Sequence, residues 1–303
     1  MRLNFLLAVN QQYVFSSAFW RAADLLIDMA LAEDLGEAGD VTTLAIAGRS
    51  DETSHAEAHA EIIAKSAGVV AGTEIVRRVF QKAQPAIAVE VFARDGESLA
   101  PKTVFARLHG QASGILSYER TALNFLQRLS GIATLTRKFV DAVAGTQARL
   151  LDTRKTTPGW RWLEKYAVRC GGGTNHRFGL HDMFLIKENH IAAAGDIPAA
   201  VQKCRMYARE QKCHLKIEVE TKNLREVEEC LHLGVDRIML DNMPLQEMRG
   251  AVALVARKIP LEASGNVTIE TVRAIAETGV DFISIGALTH SAPAMDFSLL
   301  LIS

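Results

Sequence analysis

Residues 215–241, LKIEVETKNLREVEECLHLGVDRIMLD, decide the fold. Leu215–Glu220 is a strand-length run, Asn223–Leu233 reads as a helix, and Arg237–Asp241 is a second apolar run. The same rhythm extends in both directions. Leu150–Arg154 and Phe184–Lys187 precede it as strand-length runs, and Leu261–Ser264 and Phe282–Ile285 follow. Helical stretches lie between them at Ile197–Gln211, Leu245–Arg257 and Thr268–Thr278. The last has Thr268 as a candidate N-cap, Glu270 in its first turn and Gly279 at its end. Near-continuous hydrophobicity in such short runs marks strands covered on both faces. Repeated βα units predict a parallel barrel or a doubly wound sheet. Polar residues at the carboxyl ends of so many strands favour the barrel, because an open sheet would gather them near one switch point.

Upstream the pattern is mixed. Ala18–Leu35 carries apolar residues at helical spacing (Leu25, Leu26, Met29, Ala30) and stops at Gly36. Ala58–Lys65, Ile87–Phe92 and Val104–His109 read as strands, with Gly72–Gln84 a helix between two of them. Tyr118–Val143 is helical again, with a break expected at Ser130-Gly131. The change of rhythm near residue 130 divides the chain into an amino-terminal domain, 18–130, and a barrel domain, 131–289.

The 303 residues, 49% hydrophobic and 23% charged, suffice for two domains and exclude a disordered or collagen-like chain. With 34 Lys+Arg against 35 Asp+Glu, the chain lacks the positive excess of a nucleic-acid binder. Cys170, Cys204, Cys213 and Cys230 form no CxxC pair and read as reduced thiols of a cytoplasmic protein. No apolar run approaches the roughly 20 residues of a spanning helix, so no membrane partner is expected. Met1–Ala8 weakly imitates a signal peptide, but Asn10, Gln11 and Gln12 interrupt it early.

Chemistry concentrates at strand ends. In Asp152-Thr-Arg-Lys-Thr-Thr-Pro-Gly159 a strand runs into two cations and a turn, so Arg154 and Lys155 emerge where barrel active sites are built. Adjacent strand residues point oppositely, so the two address different groups. Gly171-Gly-Gly173 leads into His176 and Arg177, and Lys187 closes another apolar strand. Each cation alone could be an ordinary solvated charge. Together they repel one another unless an anion compensates them. Glu218 and Asp241, at strand ends, could neutralise neighbouring cations, hold sugar hydroxyls, or bind a Mg²⁺ riding on phosphate oxygens. Arginine suits planar carboxylates and lysine suits phosphate, so the ligand would carry several negative charges. Ser264-Gly-Asn266 and Gly286-Ala-Leu288 follow late strands and read as phosphate loops. The glycine run matches neither a GxxxxGK[ST] loop nor a GxGxxG turn, and no HExxH, zinc-spaced cluster or GxSxG elbow occurs. His55 and His59 fall four apart in a strand, where that spacing makes no site, and Trp160 and Trp162 read as packing residues.

Thr-Arg-Lys-Thr at 153–156, Lys165-Tyr-Ala-Val168, Gly-Gly-Gly-Thr-Asn-His-Arg177, Leu185-Ile-Lys-Glu-Asn-His190, Leu240-Asp-Asn242 and Ser264-Gly-Asn266 together resemble the quinolinate phosphoribosyltransferase family. The resemblance runs from about Leu25 to Phe297, beginning with Glu33-Asp-Leu-Gly and Gly39-Asp-Val-Thr-Thr43. It implies an amino-terminal α/β sandwich domain, joined by 290–303, on an open α/β barrel of seven strands. Only six strands are readable, so one is hidden, near the glycine run. The family's reaction joins quinolinate to 5-phosphoribosyl-1-pyrophosphate with Mg²⁺, giving nicotinate mononucleotide, pyrophosphate and CO₂. The resemblance implies a homodimer, or a higher assembly, with Arg120 contributed across the interface. By the same resemblance Arg154, His176, Arg177 and Lys187 line the quinolinate pocket, and Thr153 is also substrate-binding. Lys155, Glu218 and Asp241 hold the donor, the two carboxylates serving its Mg²⁺ directly or through substrate oxygens. Ser264, Gly265, Asn266, Gly286, Ala287 and Leu288 take the 5-phosphate. Lys155, Lys187, Glu218 and Asp241 are the implied catalytic set. Trp160, where the family often has Leu, and the basic Arg161 depart from the pattern.

Three other functions compete. A related phosphoribosyltransferase acting on nicotinate would leave the five basic groups Arg120, Arg154, His176, Arg177 and Lys187 around a single small acid, which is excessive. A non-catalytic phosphometabolite-binding barrel would not need Lys155, Glu218 and Asp241. A sugar-phosphate lyase would not explain the arginine set.

Overall fold

The computed structural model describes residues 15–47 and 56–302. Met1–Ala8, the polar residues after it, and His55 lie outside these. Along the chain the strands are β1 (Glu57–Ala64), β2 (Gly68–Val69), β3 (Ala88–Val91), β4 (Ser98–Leu99), β5 (Val104–Gln111), β6 (Arg149–Leu151), β7 (Phe184–Ile186), β8 (Ile217–Thr221), β9 (Arg237–Asp241), β10 (Leu261–Ser264), β11 (Phe282–Ser284) and β12 (Phe297–Ile302). Two units emerge. One comprises the described chain to Arg137, Thr156–Gly172 and the segment from Leu288; the other comprises Lys138–Lys155 and Gly173–Ala287.

The first unit holds a four-stranded sheet in the order β12-β1-β5-β3, antiparallel throughout. In β1 the small and branched residues Ala60, Ile62 and Ala64 are fully buried, as alternation along a half-covered strand requires. The carboxyl-terminal strand β12 returns to pair with β1, Leu299 opposite Ile62. His59 stacks on His109 across β1 and β5, with ring centroids 4.5 Å apart.

Helix Ser17–Leu35 is capped by the Ser16 hydroxyl, which accepts the Phe19 N–H at 3.2 Å. Its buried stripe is Phe19, Ala23, Ile27 and Leu31, whereas Leu25 and Met29 are each 60% exposed. The expected helix is present, and Leu25 and Met29 lie off its buried stripe because apolar residues here occur on more than one face.

Helix Ala112–Ala142 is continuous and does not break at Ser130-Gly131. Gly131 is there for close approach: a Cβ would lie 2.1 Å from the Pro293 carbonyl oxygen. Ser130 accepts the Ala71 N–H at 3.1 Å, so its hydroxyl serves a neighbouring segment rather than ending the helix.

The second unit is the parallel sheet that the βα rhythm predicts, six strands in the order β6-β11-β10-β9-β8-β7. Val219, Ile238, Leu240, Ala263 and Ile283 are fully buried in it, each large side chain contributing roughly 1.5–3 kcal/mol. The sheet is open. The hidden seventh strand is reduced to a single parallel bridge between Leu151 and Thr174, directly after the glycine run. Asp152, wholly buried, fastens it by accepting the Asn175 side-chain N–H at 2.5 Å and the His176 backbone N–H at 2.8 Å. The helix expected over Thr268–Thr278 is shorter, Val272–Ala276. Turns occupy residues 269–271, and the Thr268 carbonyl accepts the Val272 N–H at 3.0 Å. Among the described residues, no helix is long and apolar enough to cross a membrane.

Candidate functional site

A parallel sheet delivers all its chain exits to one end, so the residues following each strand share that end. After β6 come Thr153, Arg154 and Lys155; after the bridge, His176 and Arg177; after β7, Lys187. Glu220 is the last residue but one of β8, Asp241 closes β9, Ser264 closes β10, and Gly286 and Ala287 follow β11. Leu288 and Arg120 belong to the first unit, Leu288 buried and Arg120 exposed on helix Ala112–Ala142.

Arg154 and Lys155 are exposed, with the Lys155 N–H held by the Thr153 hydroxyl at 3.0 Å. Arg177 is half-buried. Its Nη1 donates to the Met183 carbonyl at 3.2 Å, while its buried Nε has no partner among the described residues. Desolvation and then repulsion from Arg154 hold its pKa below the ordinary value, against the pull of Glu218 and Asp182. Two guanidiniums near enough to repel, one of them with an orphaned buried donor, form a place that favours an anion. Lys187 is ion-paired with Glu220.

The loop after β9 and β10 is tightly specified. Asn242 and Asn266 adopt left-handed backbone conformations, φ 52° and 48°, which asparagine tolerates better than most residues. Their side chains join at 3.1 Å, and Asn242 also donates to Asp241 at 3.1 Å. Gly265, at φ 98°, lies beneath them, where a Cβ would fall 2.1 Å from the Asn242 Oδ1.

Glu218 and His176 are not among the exposed groups. Glu218 is fully buried two residues deeper in β8 than Glu220. Its carboxylate lies 3.2 Å from His176 Nε2 and 3.8 Å from Arg237 Nη1. Glu262, also fully buried, lies 3.4 Å from the same imidazole nitrogen and accepts from Arg237 at 2.8 Å. The other imidazole nitrogen, Nδ1, accepts the Arg177 backbone N–H at 2.7 Å. Burial would lower the His176 pKa, but Glu262 and Glu218 outweigh it and raise it to about 9. Glu262 is held at about 2, against its own desolvation, chiefly by His176. Desolvation and Glu262 push Glu218 upward.

One donor atom from each of His176, Glu218 and Glu262 falls within 4.8 Å of the others. The three side chains are buried and one of the donors is an imidazole nitrogen, whereas magnesium keeps several waters and prefers oxygen ligands, so the cluster does not suit that ion. Nor does Glu218 suit a site shared with Asp241, its carboxylate being sealed against His176 and Arg237. The strand-end carboxylates Glu220 and Asp241, on adjacent strands β8 and β9, have the oxygen chemistry magnesium requires.

Asp152, Glu220, Arg237, Asn242 and Glu262 carry parts of this arrangement that sequence reading does not assign. A charge inside an otherwise apolar strand, as at Glu262 and Arg237, is the one signal that points to them.

Residues 40–130 match the family model described as quinolinate phosphoribosyl transferase, N-terminal domain, and residues 132–300 match its C-terminal domain. Over 289 residues the chain is 45% identical to a nicotinate-nucleotide pyrophosphorylase [carboxylating], chloroplastic, of Oryza sativa subsp. japonica, covering 90% of this chain and 76% of the relative. It is 43% identical, over the same length, to quinolinate phosphoribosyltransferase [decarboxylating] 2, mitochondrial, of Nicotiana glauca, covering 90% of this chain and 80% of that one. The solved nicotinate-nucleotide pyrophosphorylase of Francisella tularensis superposes with a TM-score of 0.87 at 38% identity, covering 93% of this chain and 96% of that one. Both domains and nearly the whole length agree, and the chain belongs to the quinolinate phosphoribosyltransferase family.

Proposed function

We infer that the chain transfers phosphoribosyl from 5-phosphoribosyl-1-pyrophosphate to quinolinate and decarboxylates the product, giving nicotinate mononucleotide, pyrophosphate and CO₂ in NAD biosynthesis. The observation that carries this reading is the Arg154–Arg177 pair with its orphaned buried Nε, at the strand ends that also present Lys155, Lys187, Glu220 and Asp241. A pyridine with two adjacent carboxylates supplies the planar anions such guanidiniums bind best. Arg154, Arg177 and Lys187 hold the diacid and aim its ring nitrogen at the ribose carbon, with Thr153 beside them. His176 acts from below by orienting Arg177.

Lys155 stabilises the departing pyrophosphate, while Ser264–Asn266 and Gly286–Leu288 seat the 5-phosphate. Positioning and electrostatics suffice, and no protein nucleophile is needed. Once the ring nitrogen carries the ribose, its positive charge stabilises the electron pair that departing CO₂ leaves at C2 of the ring, and a proton from water then takes that position. Glu220 and Asp241 are the residues that would hold Mg²⁺, which when bound supplies positive charge to the pyrophosphate.

A homodimer with Arg120 reaching the partner's pocket completes the reading. Leu25 and Met29, one turn apart on helix Ser17–Leu35 and each 60% exposed, support a protein partner on that face of the first unit. The free thiols Cys170, Cys204, Cys213 and Cys230 support a cytoplasmic location. The direct test is formation of nicotinate mononucleotide from quinolinate and the donor, requiring both substrates and Mg²⁺. Absence of product under saturating conditions overturns the reading.

A further inference from the structure

Arg128 lies on helix Ala112–Ala142, and its guanidinium ties two other segments of the first unit to that helix. Nη2 donates to Glu164 Oε1 at 2.7 Å and to the Thr289 carbonyl at 2.5 Å, while Nη1 donates to the Ala292 carbonyl at 3.2 Å. The Glu164 carboxylate is wholly buried, and it accepts the Thr157 hydroxyl at 2.8 Å and the Thr157 backbone N–H at 3.0 Å. Three residues before Arg128, Phe125 stacks on Trp160 with centroids 4.8 Å apart, pressing the same loop onto the same helix.

The ion pair's remaining partners are one threonine and backbone atoms of two loops. Replacing a buried ion pair by apolar groups often costs little stability, so its distinctive effect is to fix geometry. Both anchored segments continue directly from candidate site loops. Thr157 stands two residues after Lys155, and Thr289 immediately follows Gly286-Ala-Leu288. Lys155 and Gly286–Leu288, the groups nearest the two anchors, are assigned above to the phosphoribosyl donor, and Arg154, assigned to the diacid, stands one residue further from Thr157.

We propose that Arg128 and Glu164 are positioning residues for the phosphoribosyl donor, acting through Thr157 and Thr289. This rests on the function inferred above. The pair sets where the chain leaves two donor-binding loops, and a displacement of about 1 Å at such loops can lower activity about 100-fold.

The test compares wild type, Arg128→Met, Glu164→Gln and Thr157→Val as full-length chains, with KM measured separately for each substrate and folding checked by thermal unfolding. Arg128→Met and Glu164→Gln should each raise the donor KM by about tenfold or more, leaving the quinolinate KM within about threefold. Thr157→Val, which deletes only one donated hydrogen bond, should raise the donor KM severalfold. The double variant should be no worse than Arg128→Met alone, because both changes remove one interaction. A purely structural pair would reduce kcat through loss of active protein and leave both KM values alone. That result, or equal rises in both KM values, overturns the proposal. If the charge variants do not fold, Thr157→Val decides it by the same KM comparison. A wild type that makes no nicotinate mononucleotide overturns the function and this proposal together. A working wild type with unaltered variants overturns only the proposal.

Discussion

Both ring nitrogens of His176 are committed to protein groups, Nε2 toward Glu218 and Glu262, and Nδ1 to the Arg177 N–H. The folded cluster keeps a proton up to about pH 9 that an unfolded histidine releases near its ordinary value of 6.5. That stability is complete below pH 6.5 and is lost as pH rises through about 9. Denaturant titrations between pH 6 and 10 should show this loss in wild type and a flatter profile in His176→Gln.

Two other residues carry predictions of their own. Arg154→Ala should raise the quinolinate KM and lower kcat; unchanged steady-state kinetics would remove Arg154 from the pocket. Gly265→Ala should destabilise by about 1–3 kcal/mol, through its positive φ and the clash with Asn242, and should weaken donor binding. Motif spacing made Arg154, Arg177 and Lys187 legible in the sequence. It did not separate Glu218 from Glu220, because residues two apart on a strand share a face and differ only in depth.

At the level of elements, glycine misled the reading of helix Ala112–Ala142. A glycine inside a helical pattern suggests a break, costing about 1 kcal/mol relative to alanine. Here it admits the Pro293 carbonyl against the helix, a contact distant in sequence and invisible to local pattern. Gly131→Ala should therefore destabilise by about 2 kcal/mol or more despite its better propensity, measured as a fall in denaturant midpoint. The seventh strand was equally illegible. A single bridge at Thr174 has no run of apolar residues to announce it, and the buried side chain of Asp152 does the fastening instead. The helix Ser17–Leu35 was found through periodicity, yet periodicity could not choose between two apolar stripes on one cylinder.

For the whole molecule, the βα rhythm from Leu150 onward was sufficient to foresee a parallel sheet, since strands covered on both faces must be apolar almost throughout. What assembles between chains follows a different logic, because a single sequence records no partner. If Arg120 completes the partner's pocket, Arg120→Ala and Lys155→Ala chains, each inactive alone, should recover about a quarter of wild-type activity when refolded together. No recovery would place Arg120 outside the shared site.

The central claim, that the strand-end cations bind a pyridine diacid and permit its decarboxylation, is tested most directly by stoichiometry. Quinolinate labelled in its 2-carboxylate, incubated with the phosphoribosyl donor and Mg²⁺, should release labelled CO₂, pyrophosphate and nicotinate mononucleotide in equal amounts, with nicotinate inert in its place. Pyrophosphate release without labelled CO₂, or turnover of nicotinate, would contradict it.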